Sequence, residues 1–312
     1  MFKIFIDGEA GTTGLLIKEQ LKHDPSFELL AIDPSARKDE SAKRVLMAQA
    51  DLVVLCLADE QAKESVALIQ SLGSDAPKVV DASSAHRTQE AWVYGFPELC
   101  PEQEGLIAKA SRVSNPGCYA TGAIALLRPL LDAGVLSAQA GIALPSVSGY
   151  SGGGRSMIEA YESGQAPLME YYALGLEHKH VPEIMRYSGL TRRPLFVPSV
   201  GNFKQGMVVQ LPLHPEQLVK AVTRADLIDI YRHHYGRLPF SEVVVNTQAP
   251  SRLDATALNG TNRLEIEVVT HESSGQCLLL ARLDNLGKGA SGAAAQNIRL
   301  MLGLSRQRQP QG

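Results

Sequence analysis

Cys118 is the residue of this 312-residue chain whose neighbours best suit it to nucleophilic chemistry. It follows Ser114-Asn115-Pro116-Gly117 and opens a stretch whose spacing predicts a helix over 120–133. The unpaired N–H groups and partial positive charge of a helix N-terminus favour a thiolate there. Cys56 and Cys277 lie inside apolar, strand-like runs and read as small buried hydrophobes, while Cys100 sits in a Pro/Glu-rich loop. These four cysteines are far apart and form no C-x-x-C pair, so neither a disulfide framework nor a metal site is expected. Among the eight histidines, His178 and His180 stand out because they precede Pro182, a residue suited to the first turn of a helix. No third ligand accompanies this H-x-H at a recognisable spacing, so general acid/base work by His178 or His180 is the better expectation.

Other segments suit anions and nucleotides. Asp7-Gly8-Glu9-Ala10-Gly11-Thr12-Thr13-Gly14 falls between an apolar run and a helical pattern, where glycines permit a tight turn and bring backbone N–H groups close to a pyrophosphate. Gly8, Gly11, Thr12, Thr13 and Gly14 are therefore candidate cofactor ligands. Asp33, at the end of the second apolar run, is where an acidic side chain would bind a ribose 2′-hydroxyl. Ser35, Arg37 and Lys38 follow at once, and a hydroxyl with two cations suits a 2′-phosphate, which favours NADP(H). Ser83, Asn285 and Gly287 are further cofactor candidates. The run Ser146-Val147-Ser148-Gly149-Tyr150-Ser151-Gly152-Gly153-Gly154-Arg155 offers hydroxyls, N–H groups and one guanidinium. Ser148, Gly149 and Arg155, with Asn115, are the candidate substrate ligands.

The elements that must position these residues form two groups. Apolar runs at 2–7, 28–32, 52–57 and 79–80 alternate with helical patterns at 15–21 and 61–72, the pattern of a doubly wound α/β domain. After Asn115 the texture changes to strand-like segments at 207–213, 243–245, 264–270 and 277–283, with helices expected at 215–235 and near Glu159, an α+β domain. A last helix over 291–304 is expected to return to the first domain, and the polar tail 305–312 to fray. The expected division is 1–115 with 286–312 against 116–285. A net charge of −3 and the absence of a Lys/Arg block speak against nucleic acid. The first apolar run is too short for a signal peptide and no run suits a membrane span, so a cytoplasmic protein is expected.

In order along the chain, the loop at 8–14, Val79-Val80-Asp81-Ala82-Ser83-Ser84-Ala85-His86-Arg87, S-N-P-G-C-Y-A-T, S-G-Y-S-G-G-G-R, H-K-H-V-P-E and D-N-L-G-K-G-A-S-G resemble the N-acetyl-gamma-glutamyl-phosphate reductases of arginine biosynthesis, in particular their short second type. The resemblance covers nearly the whole chain. Its compact length departs from the longer type, as does Thr12-Thr13, where that type commonly has Tyr-Thr; neither removes a functional group. It implies a Rossmann-type NADP(H) domain completed by the C-terminal helix. It also implies a substrate domain of the semialdehyde and glyceraldehyde-3-phosphate dehydrogenase kind, assembled as a homodimer or homotetramer. By the same resemblance Cys118 is the acylated nucleophile and a histidine of the H-K-H segment the acid/base. The alternatives are the same chemistry on another acyl phosphate, such as aspartyl phosphate, and a non-catalytic dinucleotide sensor.

Overall fold

The computed structural model describes residues 1–238 and 241–304, so the tail expected to fray lies outside the described residues. Two compact units form, the first from Met1–Pro97, Glu102–Pro116 and the segment that starts at Ala290, the second from Glu98–Pro101 and Gly117–Gly289. The sequence reading assigned residues 98–101 and 286–289 to the first unit. Both segments belong to the second, where Lys288 binds Glu98 at 2.8 Å.

In the first unit β1 (Phe2–Asp7), α1 (Thr12–Leu21), β2 (Phe27–Leu30), α2 (Glu40–Gln49), β3 (Leu52–Leu55), α3 (Asp59–Gln70), β4 (Lys78–Asp81), β5 (Val93–Tyr94), α4 (Gln103–Lys109) and β6 (Arg112–Ser114) succeed one another. The strands make a parallel sheet in the order β2-β1-β3-β4-β6-β5. Its two faces are both buried, which is why the strands read as unbroken apolar runs. Ile4, Ile6, Leu52, Val54 and Val80 point into one core with Ile17 and Leu21 of α1, Ile107 of α4 and Ala294 and Ile298 of the C-terminal helix Gly292–Met301. Phe5, Val53, Leu55 and Val79 point into the other, against Met47 of α2 and Ala62, Val66 and Ile69 of α3. A single strand register thus feeds two cores, as the period of two requires. The sequence reading missed α2, whose only buried residue is Met47; it is started by Asp39, whose carboxylate accepts the N–H groups of Ser41 and Ala42 at 2.8 and 3.2 Å.

The second unit comprises α5 (Cys118–Asp132), β7 (Ala143–Gly149), α6 (Gly154–Glu162), β8 (Met169–Tyr171), α7 (Val181–Ser188), β9 (Leu195–Gly201), β10 (Met207–Leu213), α8 (Arg224–Gly236), β11 (Val243–Val245), β12 (Leu264–Thr270) and β13 (Cys277–Leu283). Its mixed sheet runs β11-β12-β13-β10-β7-β9-β8. α5 is buried along nearly its whole length, and Tyr231 and Tyr235 of α8 satisfy their buried hydroxyls by donating to Leu126 O and Ala125 O at 2.7 and 2.8 Å. The helix expected over 215–235 is broken. A 3₁₀ turn at Pro215–Gln217 ends at once, and α8 starts at Arg224 behind a capping box in which Thr223 and Asp226 bond each other's backbone N–H. The last helix, expected over 291–304, runs over Gly292–Met301 behind a π-turn at Gly287–Ser291. Among the described residues, no helix is long and apolar enough to cross a membrane.

Candidate active site

Cys118 is the first residue of α5 and is half-buried. Gly117, the residue before it, is extended and has no side chain with which to cap the helix. Instead a carboxylate reaches this turn from α7: Glu183 Oε2 accepts the Gly117 N–H at 3.2 Å. The other oxygen of Glu183 faces His180 Nε2 at 3.9 Å, and both side chains are almost wholly buried. His180 stands directly before α7, with Glu183 three positions on, so one helical turn puts the imidazole and the carboxylate on one face. The backbone N–H of His180 donates to His178 Nδ1 at 3.1 Å. The two rings lie 4.6 Å apart, and His178, half-buried, is walled in by Phe196 at 4.9 Å, Tyr172 at 5.7 Å and Tyr119 at 6.3 Å.

Burial pushes the Tyr119 phenol well above its usual value, helped by Tyr172 and by the charge of Cys118. Tyr172 is raised by burial first and by Cys118 second. Two phenols held in their neutral form, chiefly by burial, therefore stand close to Cys118. Of the other thiols, burial first, with Asp81 and Asp7 next, pushes Cys56 up to about 12, and burial raises Cys277. Sequence reasoning singled out Cys118 and both histidines, and not Tyr119, Tyr172 and Glu183, which the fold brings to them. The i+3 spacing of Glu183 from His180 was a usable signal; Tyr172 carried none.

The expected anion loop is built differently. Its first half is β7, a strand inside the sheet, and the N–H groups of Gly149, Tyr150 and Ser151 are spent on Gly206 O, Phe203 O and Lys204 O at 2.9 to 3.0 Å. Ser148 is buried with its hydroxyl on Gly149 O at 2.9 Å. Arg155 stands on the first turn of α6, its side chain 86% exposed and paired with Glu159 at 3.2 Å. Asn285 is buried, accepts the Gly206 N–H at 2.8 Å and donates to Ser151 Oγ at 3.0 Å; a Cβ on Gly287 would stand 2.2 Å from Thr261 O. The Asn285 side chain is thus committed within the second unit, and Gly287 is closed to any side chain. Asn115, in the first unit, is likewise committed, its amide donating to Ala290 O and accepting from Asn297.

The nucleotide loop of the first unit leaves the C-terminal end of β1, where the sheet order reverses between β2 and β3, the place at which open α/β sheets bind ligands. Gly8 has φ +90, and a Cβ on it would stand 2.3 Å from Cys56 O at the end of β3; on Gly14 a Cβ would stand 2.4 Å from Gly8 O. Gly11 is the extended residue before α1 and supplies no side-chain cap, so Thr12, Thr13 and Gly14 open the helix with N–H groups turned toward the loop. This uncapped turn, closed to any side chain, fits a pyrophosphate. Glu9 inside the loop is held below its usual carboxylate value chiefly by Lys18, 2.8 Å away, and also by Arg37 at 3.1 Å. Asp33 does not reach for a ribose. Its carboxylate accepts both the N–H and the hydroxyl of Ser35, at 2.8 and 2.5 Å, and is lowered by them. Lys38 lies beyond, lining a small cleft with Lys43 and Glu64, and Ser83 is buried on Asp81.

Comparison with known proteins agrees with this division. Residues 3–106 match the family model "Semialdehyde dehydrogenase, NAD binding domain", and residues 118–285 match "Semialdehyde dehydrogenase, dimerisation domain". The N-acetyl-gamma-glutamyl-phosphate reductase of Burkholderia lata is 48% identical over 97% of this chain and 96% of its own. That of Trichormus variabilis is 46% identical over 97% of each, and N-acetyl-gamma-glutamyl-phosphate reductase 2 of Pseudomonas putida 46% over 96% of each. In three dimensions the fold is that of aspartate semialdehyde dehydrogenase II of Vibrio cholerae (TM-score 0.71, 16% identity, 97% of this chain and 98% of that one). The aspartate semialdehyde dehydrogenase of Candida albicans, solved with NADP, gives a TM-score of 0.68 at 16% identity over 97% and 98%. The chain belongs to the N-acetyl-gamma-glutamyl-phosphate reductase family, built on the two semialdehyde dehydrogenase domains.

Proposed function

We propose that this protein reduces N-acetyl-L-glutamyl 5-phosphate to N-acetyl-L-glutamate 5-semialdehyde and phosphate with NADPH, as a step of arginine biosynthesis. The observation that carries the reading is Cys118 at the start of α5, where Glu183 holds the Gly117 N–H before it and His178 and His180 pack against Tyr119 after it, with Tyr172 beside His178. Its thiolate attacks the acyl carbon, the C–O bond to phosphate breaks, and a thioester remains on the enzyme while phosphate carries off the proton consumed overall. NADPH, when bound, supplies the hydride that reduces this thioester. The resulting thiohemiacetal oxyanion collapses by expelling the Cys118 thiolate, which leaves the aldehyde and restores the enzyme.

The two histidines have different tasks in this reading. The Nδ1 of His178 accepts a backbone N–H, so the neutral ring carries its proton on Nε2. A half-buried Nε2–H is a donor for the oxyanion. His180, buried on Glu183, is the positioning residue, because its own N–H fixes the tautomer of His178 and its carboxylate partner holds the turn before Cys118. Arg155, exposed on α6, is the guanidinium offered to the substrate's anionic groups. Gly8, Gly11, Thr12, Thr13 and Gly14 hold the pyrophosphate, and Ser35 and Arg37, with Lys38, the 2′-phosphate.

Self-association fits the exposed Met169 and Tyr171 of β8, an edge strand, together with exposed Leu168, Leu174 and Leu176. A homodimer or homotetramer would cover them, which sedimentation equilibrium reads directly. Four free cysteines suit the reducing cytoplasm.

The test is the reverse reaction with N-acetylglutamate 5-semialdehyde, phosphate and NADP, with aspartate semialdehyde in parallel. Phosphate-dependent NADPH formation selective for the acetylated substrate is expected, and Cys118→Ala should abolish it while binding NADPH as before. Turnover of aspartate semialdehyde alone would move the substrate assignment. No turnover despite NADP binding would favour a sensor.

A further inference from the structure

A buried ion pair that the chemistry above does not use lies beside the nucleophile. The side chains of Lys288 and Glu98 are each 1% exposed, and Lys288 Nζ donates to both carboxylate oxygens of Glu98 at 2.8 and 2.9 Å. Glu98 Oε1 also accepts the Glu242 N–H at 3.2 Å. Two charges this far from water recover their desolvation cost only through good geometry, and apolar side chains of the same volume often serve stability as well. The pair therefore calls for a conformational role. Lys288 is the second residue of the π-turn Gly287–Ser291, a rare geometry found often at functional sites. The next residue, Gly289, is packed against the nucleophile: a Cβ built on it would stand 2.8 Å from Cys118 Cβ and 3.3 Å from Cys118 Cα. Before Lys288, Gly287 is seated against Thr261 O, and after it the Gly289 N–H donates to Asp284 O at 2.9 Å.

We infer that Glu98 and Lys288 are a positioning pair for the nucleophile. The ion pair pins the π-turn, and the turn presents Gly289 as a wall that restricts the Cys118 side chain to the rotamer from which sulfur attacks. Neither residue touches the reacting atoms; both act through Gly289. The inference rests on Cys118 being the nucleophile, and the experiment separates the two.

Without phosphate, N-acetylglutamate 5-semialdehyde and NADP drive a single half-turnover. Cys118 adds to the aldehyde, hydride passes to NADP, the hydroxyl proton leaves to solvent and the thioester stays on the enzyme. Each competent protomer thus yields one NADPH, whose amplitude counts working sites and whose rate constant reports the geometry of attack. A wild-type burst that is lost in Cys118→Ala establishes the nucleophile; its absence fails the proposed function independently of the pair. The neutral double variant Glu98→Gln/Lys288→Met avoids an uncompensated buried charge. Its burst, counted per protomer that binds NADP, is expected to keep its amplitude and slow by about ten- to a hundredfold, the cost of roughly 1 Å of misplacement. A reduced amplitude with an unchanged rate constant would show a merely structural pair and overturn the inference, as would no change in either. If the double variant does not fold, Glu98→Gln alone, which retains an oxygen for Lys288 and for the Glu242 N–H, is measured instead. A burst slowed by about threefold or more supports the inference and an unchanged one overturns it.

Discussion

Gly14→Ala tests the nucleotide loop, because its effect can be worked from distances. Gly14 is the third residue of α1, and a Cβ there would stand 2.4 Å from Gly8 O, 2.8 Å from Glu9 Cα and 3.0 Å from Glu9 C. All three are backbone atoms, so no side chain can swing away. Ordinary contact begins near 3.4 Å, so the loop must retreat by about 1 Å from the start of the helix. Two stability effects then oppose each other. Alanine is favoured over glycine in a helix by about 1 kcal/mol, while overpacking costs about 1 to 3 kcal/mol, so the net loss is at most about 2 kcal/mol and the protein should remain folded. Binding suffers more directly. A retreat of about 1 Å carries an N–H donor from near 2.9 Å to beyond 3.5 Å of a pyrophosphate oxygen, and one lost bond to a charged group is worth about 1.5 to 3 kcal/mol. NADPH affinity should fall by about ten- to 150-fold. Fluorescence titration measures this, with thermal unfolding and iodoacetamide labelling of Cys118 as controls expected to stay near wild type. A Kd within about twofold of wild type in a folded variant would refute the placement of the pyrophosphate at this turn.

The remaining predictions concern single side chains. Arg37→Ala should weaken NADPH by about tenfold and leave NADH nearly unchanged, because Asp33 is already spent on Ser35 and no ribose contact is released; equal losses for both nucleotides would count against a 2′-phosphate site. His178→Ala should slow hydride transfer by about 10² to 10³, with His178→Gln recovering part through its own N–H donor, both read from the NADPH burst. Burial, the largest cause, holds His234 below its ordinary value, so the unfolded chain takes up that proton first. Its contribution is whole above the unfolded value of about 6.5 and is lost as pH falls from there toward the depressed folded value. His234→Gln should therefore shrink the drop in melting temperature between pH 7.5 and 5.5, and an unchanged drop would show that another group dominates.

The first unit was readable because its physics is local and repeated. Apolar runs such as 52–55 must be buried on both faces of a parallel sheet, so strand and neighbour leave the same mark on the sequence. The glycines at 8 and 14 were readable for a related reason: backbone passes within van der Waals reach of backbone there, which excludes every side chain and so writes itself on residue type. In the second unit composition misled. Ser146, Ser148 and Gly149 look like loop residues, yet they belong to β7, paired with β10 on one side and β9 on the other. Small residues fit a strand crowded on both edges, where a Cβ on Gly149 would stand 2.6 Å from Phe203 O. Nothing in 143–149 alone announces those partners, which lie 50 or more residues later.

Cys118 was legible for its environment as well as its type, because the start of a helix after Pro-Gly is a local event whose electrostatics follow from backbone geometry. The choice between His178 and His180 was not legible, since it turns on one hydrogen bond. The His180 N–H points at His178 Nδ1, and that direction assigns the proton of His178 to Nε2. In the proposed mechanism, two residues that are equivalent in sequence thereby become a donor and its support. The same logic extends to Tyr172 and Glu98, whose relevance depends on long-range packing alone: the first feels the charge of Cys118, and the second holds Lys288 from 190 residues away. A site of this kind divides by range. The group that reacts is marked by its own turn of chain, while the groups that orient it and keep it dry are supplied by the fold. Substitution at the second class should therefore change rates while leaving cofactor binding intact, and at the nucleotide loop the reverse.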